Sequence, residues 1–143
     1  MTIPLKESVI PELDTLSDVA RKIGAVNTIT KLRDGSLFGD NTDWLGIKTG
    51  LEARRSANAA SVGLICGAGG TARAACHALQ QMGVGHVLIL NPRTPSRADA
   101  VAADFANTDG IVDSAVSARG CFLSPRSPGH TVLYTFEQSE TRV

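Results

Sequence analysis

Three polar residues in the first third of the chain have the types needed for proton handling and alcohol recognition. They are Lys6 in T-I-P-L-K-E, Asn27 in I-G-A-V-N-T-I, and Asp43 in G-D-N-T-D-W. An amine beside a carboxylate can hold and hand over a proton, and a side-chain amide can fix a hydroxyl. Each sits at the edge of an apolar element, where a side chain is positioned yet reachable. Singly, each also has an ordinary reading. Lys6 suits a surface lysine, Asn27 a strand residue satisfying backbone, and Asp43 a helix N-cap or first-turn acid.

A second chemistry is written in I65-C-G67-A68-G69-G70-T71-A72, which matches G-x-G-x-x-A. The first glycine permits a sharp strand-to-helix turn, the second a close backbone approach to a pyrophosphate, and Ala72 close helix–strand packing. Unpaired N–H groups at the start of the next helix then face the phosphates. Gly67, Ala68, Gly69, Gly70, Thr71 and Ala72 are therefore the candidate pyrophosphate residues. Flanking patterns supply the context that a lone motif lacks: a strand before, a helix after, and a second strand closing a βαβ unit.

Roughly 20 residues on, an NAD site calls for a carboxylate on the ribose 2′-hydroxyl. This chain has Asn91-Pro92-Arg93-Thr94 there, with Arg97 nearby. Arg93 offers a charged planar fork for a 2′-phosphate and Thr94 a hydroxyl, which favours NADP. The ordinary reading is a solvated basic loop.

The elements that must carry these residues are legible as hydrophobic patterns. Thr2–Leu5 reads as the end of a strand. Residues 7–13 and 17–23 carry short helical patterns, with Ser17 as N-cap and Gly24 as C-cap. Val26–Leu32 alternates as a half-buried strand, Asp34-Gly35 signals a hairpin, and Ser36–Phe38 begins the return. Residues 39–42 read as a loop entering a helix over 43–55, whose Trp44, Leu45, Ile47 and Leu51 share a side. Residues 56–61 are small and polar, and mark a boundary between lobes. Strands at 62–66 and 86–90 alternate with helices at 71–82, closed by Gly83, and 96–105. After Asn107 the signals fade, apart from a strand pattern over 131–136. The expected class is α/β: a partial substrate-binding lobe with its linking helix (1–57), a partial Rossmann-like NAD(P)-binding βαβα unit (58–106), and a weakly specified, poorly ordered tail (107–143).

Composition narrows the function. The 143 residues are 43% hydrophobic and 20% charged, with 14 Lys+Arg against 14 Asp+Glu, so no global basic field draws nucleic acid or an anionic membrane. No apolar run approaches the roughly 20 residues of a membrane span, and the N-terminus has no hydrophobic signal region. Cys66, Cys76 and Cys121 lack metal-ligand spacing and read as reduced thiols of a cytoplasmic protein. Cys66 and Cys76 suit small core positions. His77 and His86 lack ligand partners at metal spacing, so no metal is expected. Arg73 suits either a phosphate contact or a solvated surface.

Taken in order, T-I-P-L-K-E, I-G-A-V-N-T-I, G-D-N-T-D-W-L-G and G-A-G-G-T-A-R-A-A closely resemble the shikimate/quinate dehydrogenase family. The wording is most similar to its fungal members, which include the dehydrogenase domain of the arom polypeptide and the related quinate repressor. The resemblance covers about residues 2–106. It implies that Lys6 is the catalytic lysine and Asp43 its paired acid, both at the substrate hydroxyl that is oxidised. It implies that Asn27 hydrogen-bonds the substrate ring hydroxyls, and that Asn91, Arg93 and Thr94 read the 2′-phosphate. The implied reaction is the reversible NADP-linked reduction of 3-dehydroshikimate to shikimate. A carboxylate beside an ammonium orients it and favours its charged form, so the lysine suits proton donation in the reducing direction.

Three departures from the family pattern accompany the match. The family has a preceding half-lobe with a serine pair gripping the substrate carboxylate. It continues after the second Rossmann helix with further parallel strands, which residues 107–143 do not resemble. Its N-R-T motif stands here as N91-P92-R93-T94, where the proline restricts Asn91 to extended backbone and shifts Arg93 by one position. The chain is accordingly expected to be a central piece of a larger protein, reduced in activity by itself. Three alternatives stay open: a quinate dehydrogenase, a non-catalytic quinate-repressor-like sensor, and an inactive remnant. The expected partner is a small-molecule substrate (shikimate, 3-dehydroshikimate or quinate), and homodimer formation is left open.

Overall fold

A computed structural model describes residues 2, 4–54, 62–106, 111–115 and 130–134. Two sheets organise them. The first has three strands in the order β1-β3-β2, comprising β1 (Thr15–Leu16), β2 (Thr28–Lys31) and β3 (Leu37–Asp40). β2 and β3 form the hairpin expected at Asp34-Gly35, with Gly35 in the left-handed region at φ 90°. β1 pairs parallel to β3 and was not legible in the sequence, since two residues carry no alternation. Helix α2 (Asp18–Ile23) lies between β1 and β2. The Ser17 hydroxyl accepts from the Ala20 N–H, and Gly24 closes the helix at φ 69°, as the sequence predicts.

The start of the chain differs from expectation. Leu5 opens a one-turn helix, α1 (Leu5–Ser8), rather than ending a strand, and a 3₁₀ turn follows at Ile10–Glu12. The Leu5 N–H donates to the Thr2 carbonyl at 2.9 Å, and that turn is incompatible with extended pairing. Residues 39 and 40 also differ: they complete β3 rather than a loop. Gly39 is buried because the Leu13 and Leu16 side chains cover the space its Cβ would fill.

Helix α3 (Asp43–Glu52) ends three residues before the expected 55, where the Arg54 N–H closes a tight turn on the Leu51 carbonyl. Trp44, Ile47 and Leu51 face inward, whereas Leu45 is 49% exposed. At 100° per residue, 44, 47 and 51 share a stripe and 45 falls outside it. The expected lobe boundary at 56–61 lies outside the described residues, as does Cys121.

The second sheet is parallel throughout, in the order β6-β5-β4-β7: β4 (Val62–Cys66), β5 (His86–Leu90), β6 (Ile111–Ala115) and β7 (His130–Tyr134). Two helices connect its first strands, α4 (Gly70–Gln81) and α5 (Pro95–Phe105). β4, β5 and both helices stand within a residue of their predicted limits. β7 overlaps the strand pattern expected over 131–136, β6 is a strand the sequence pattern did not mark, and the rest of 107–143 lies outside the described residues. Their register on β5 and β4 supplies a definition that their own short patterns lack.

The core explains the composition of α4. One side packs Ala72, Ala75, Cys76 and Leu79 against Ile65, Val87, Ile89 and Phe105. Its other side meets α2 and α3, with Ala74 against Ile23 and Ala25 and with Trp44 and Ile47 alongside. A helix buried on two sides needs small residues to let both neighbours approach. G-T-A-R-A-A-C-H-A supplies them.

His77 belongs to this second contact. It is 6% exposed and meets the Trp44 ring edge-on, with centroids 5.0 Å apart. Burial, with the Lys22 charge adding, holds its pKa below the ordinary 6.5. The unfolded chain therefore binds a proton that the folded chain refuses. The histidine's contribution to stability is complete above pH 6.5 and is lost as pH falls toward the lowered native value. Thermal midpoints from about pH 7.5 down to about pH 5.5 are expected to fall less steeply in His77→Phe than in the parent. Equal slopes would show that His77 carries no such linkage.

Candidate active site

The three polar residues singled out in the sequence converge. Lys6 leaves α1 and its Nζ donates to Asp43 Oδ2 at 2.5 Å, with the lysine side chain 11% exposed and the aspartate 27%. Asn27 takes the other carboxylate oxygen: its Nδ2 donates to Asp43 Oδ1 at 2.7 Å. Asn27 Oδ1 accepts from the Thr42 N–H at 3.1 Å and from the Thr28 hydroxyl at 2.8 Å. Asp43 is the first residue of α3, so the first-turn reading also holds, and the helix dipole favours its charge. The surface-lysine reading of Lys6 does not hold.

Backbone bonds set these separations. The Lys6 carbonyl accepts from the Val26 N–H at 2.7 Å, and the Asn27 N–H donates to the Asp40 carbonyl at 3.0 Å. Asp40 is fixed in turn: its Oδ1 accepts from the Ser17 hydroxyl at 2.5 Å and from the Asn41 N–H at 2.8 Å.

Asn41 is a site residue that sequence reasoning missed. It is 1% exposed; its Nδ2 donates to the Ala25 carbonyl at 2.9 Å and its Oδ1 accepts from the Asp43 N–H at 3.0 Å. One buried amide thus spaces the segment bearing Asn27 from the helix bearing Asp43. The only signal was a polar residue between a strand and a helix, which is also what a solvated loop shows.

The glycine turn lies next to this cluster. Gly67 adopts φ 115°, a conformation reserved for glycine, and its N–H donates to the Leu90 carbonyl at 2.9 Å, tying the turn to the end of β5. Gly69 caps α4 in extended geometry without a side-chain cap bond. The turn thus follows the carboxyl end of the central strand and opens a 12-residue helix, the arrangement that suits a pyrophosphate. Ala72 is 1% exposed and packs in the core, as its place in the motif requires.

At the end of β5, Asn91 is buried and its Nδ2 donates to the Thr94 carbonyl at 3.1 Å, which holds the N91-P-R-T turn. Arg93 and Thr94 are exposed on that turn. Arg97 Nη2 lies 3.9 Å from Glu7 Oε1, joining the start of α5 to α1. Arg73 is not a solvated surface residue: both terminal nitrogens donate to Asp104 Oδ2, and its side chain is 13% exposed. Burial pushes the Cys76 thiol up to about 12 and raises that of Cys66, which lowers the thiolate fraction of both. Among the described residues no group of three or more His, Cys, Asp or Glu could hold a metal ion. No described helix is long and apolar enough to cross a membrane.

These features define a class, an α/β protein with a nucleotide-type glycine turn beside an amine–carboxylate pair. Comparison with known proteins gives the family. Residues 1–29 match the model of the shikimate dehydrogenase substrate binding domain. The pentafunctional AROM polypeptide of Komagataella phaffii is 45% identical over 118 residues, which are 80% of this chain and 8% of that polypeptide. Shikimate dehydrogenase from Aquifex aeolicus superposes with a TM-score of 0.71 at 35% identity, covering 83% of this chain and 42% of that one. Quinate dehydrogenase from Corynebacterium glutamicum in complex with NAD gives 0.71 at 31% identity, over 86% and 45%. Shikimate 5-dehydrogenase from Thermus thermophilus in complex with NADP(H) and shikimate gives 0.64 at 40% identity, over 78% and 40%. The chain spans under half the length of these relatives, and over that span it belongs to the shikimate/quinate dehydrogenase family.

The Asn41 bridge has a measurable cost of removal. Asn41→Ala strands a buried carbonyl at Ala25 and an N–H at Asp43, and is expected to lower unfolding free energy by about 2 kcal/mol. A denaturant titration reads this directly; an unchanged midpoint would show that the bridge does not hold the two segments.

Proposed function

We propose that the protein is a shikimate dehydrogenase that reduces 3-dehydroshikimate reversibly with NADP. The observation that carries the proposal is the contact of Lys6 Nζ with Asp43 Oδ2 at 2.5 Å, beside the glycine turn. An alcohol oxidised by hydride loss must also lose a proton, and a carbonyl reduced by hydride must gain one. Lys6 is the group that moves this proton. Asp43 orients the amine with one oxygen and is itself held by Asn27 through the other. In this reading Lys6, Asn27 and Asp43 contact the substrate hydroxyls. The nicotinamide, when bound, supplies the hydride.

Cofactor contacts follow the same logic. Gly67, Ala68, Gly69, Gly70, Thr71 and Ala72 form or support the pyrophosphate turn, and Asn91, Arg93 and Thr94 the 2′-phosphate turn. The choice of NADP over NAD is supported by the lack of any carboxylate in residues 91–94 and by the presence of Arg93 on an exposed turn. A relative with NAD and another with NADP(H) show that the family fold accommodates both. A cytoplasmic setting is supported by Cys76, a buried free thiol.

The test is to follow reduced cofactor at its absorbance band with shikimate and NADP. Turnover is expected in the parent, and Lys6→Ala is expected to lower kcat by roughly 10²- to 10⁴-fold. Turnover that survives Lys6→Ala unchanged would reject the assignment, as would a parent that neither binds nor oxidises shikimate. Arg93→Ala is expected to raise the KM for NADP roughly tenfold while leaving that for NAD within about twofold. Equal effects on both cofactors would remove Arg93 from 2′-phosphate recognition.

A further inference from the structure

We propose that Gly70 and Thr71 form a seat for the Lys6 side chain, with Thr71 as a positioning residue for the amine. The inference deepens the function proposed above and rests on it for the amine's role. Gly70 is not one of the fingerprint positions, which are Gly67, Gly69 and Ala72. Nor does its backbone require glycine, since its φ is not positive. What requires glycine is space. A Cβ on Gly70 would stand 3.0 Å from Lys6 Cβ, 3.3 Å from Lys6 Cδ and 3.2 Å from Ala25 Cβ. The aliphatic stem of the lysine therefore lies directly on the first residue of α4.

Thr71, one residue on, meets the end of the same side chain. Its Oγ1 accepts from Lys6 Nζ at 3.3 Å, a contact spanning 65 positions of sequence. An ammonium has three donors. Asp43 takes one and Thr71 a second, which fixes the direction of the third for a substrate oxygen. Asp43 alone would leave the amine free to rotate about a single contact. G70-T71 thus serves the proton-handling residue from within the cofactor turn.

The reactivity of Lys6 toward trinitrobenzenesulfonate tests this in the full chain. The rate is read by mass spectrometry on the Lys6 peptide, with Lys22, Lys31 and Lys48 as internal references. Thr71→Val keeps the shape and removes the acceptor. It is expected to raise the relative Lys6 rate roughly three- to tenfold, while Thr71→Ser stays within about twofold of the parent. Gly70→Ala is expected to raise it too, by pushing the stem off its seat. An unchanged Lys6 rate in Thr71→Val, or equal rates in the Val and Ser variants, would overturn the proposal. Weakened NADP binding by Thr71→Val with the Lys6 rate unmoved would also overturn it, and assign Thr71 to the phosphates. Should thermal melts show Thr71→Val unfolded, Thr71→Ala is read by the same criteria. Turnover enters none of these readouts, so failure of dehydrogenase activity would sink the functional reading and leave this one standing.

Discussion

The approach of α1 to the first turn of α4 is the constraint from which the site follows. Lys6 reaches Asp43 because its stem lies against a residue with no side chain, and because Val26 holds its carbonyl. The same demand for closeness runs the length of α4. Ala72, Ala74, Ala75, Cys76 and Ala78 are buried, some toward the parallel sheet and Ala74 toward Ile23 and Ala25. Wider residues would separate the two lobes by the thickness of a side chain, and the amine and the glycine turn would no longer be neighbours. Packing and chemistry are here one requirement.

Around that contact the polar groups are arranged so that none depends on a single bond. Asp43 divides its oxygens between Lys6 and Asn27 and receives the Asn41 amide at its backbone. Asn27 is held by Thr28 and Thr42, and Asp40 by Ser17. A charged pair at partial burial is costly unless its remaining hydrogen-bonding capacity is met. The surrounding amides and hydroxyls meet much of it, leaving one Lys6 donor for substrate, and they also fix the geometry.

Much of this was legible in the sequence, for reasons that differ by element. β4, β5, α4 and α5 are buried elements with strong patterns and clear punctuation, so type and limits both emerge. Ser17 and Gly24 marked α2 because capping is a local interaction. α1 was misread, because four residues after a proline carry no period. β6 and β7 were missed or left weak, because their definition comes from strands distant in sequence. Lys6, Asn27 and Asp43 were recognisable as residue types, but their convergence needed family resemblance or coordinates. Asn41 escaped because a buried bridge and a solvated loop use the same residue. Gly70 and Thr71 are legible as members of the glycine turn, whereas their contact with Lys6 is not, since a motif reports position in a turn and not which neighbour leans on it.

Helix α4 is shared by the cores of both lobes, whereas α1 contributes no buried residue. A displacement of α4 would tear interior packing on both of its sides at once, so a wider side chain placed on either side of that helix is felt in the two cores together.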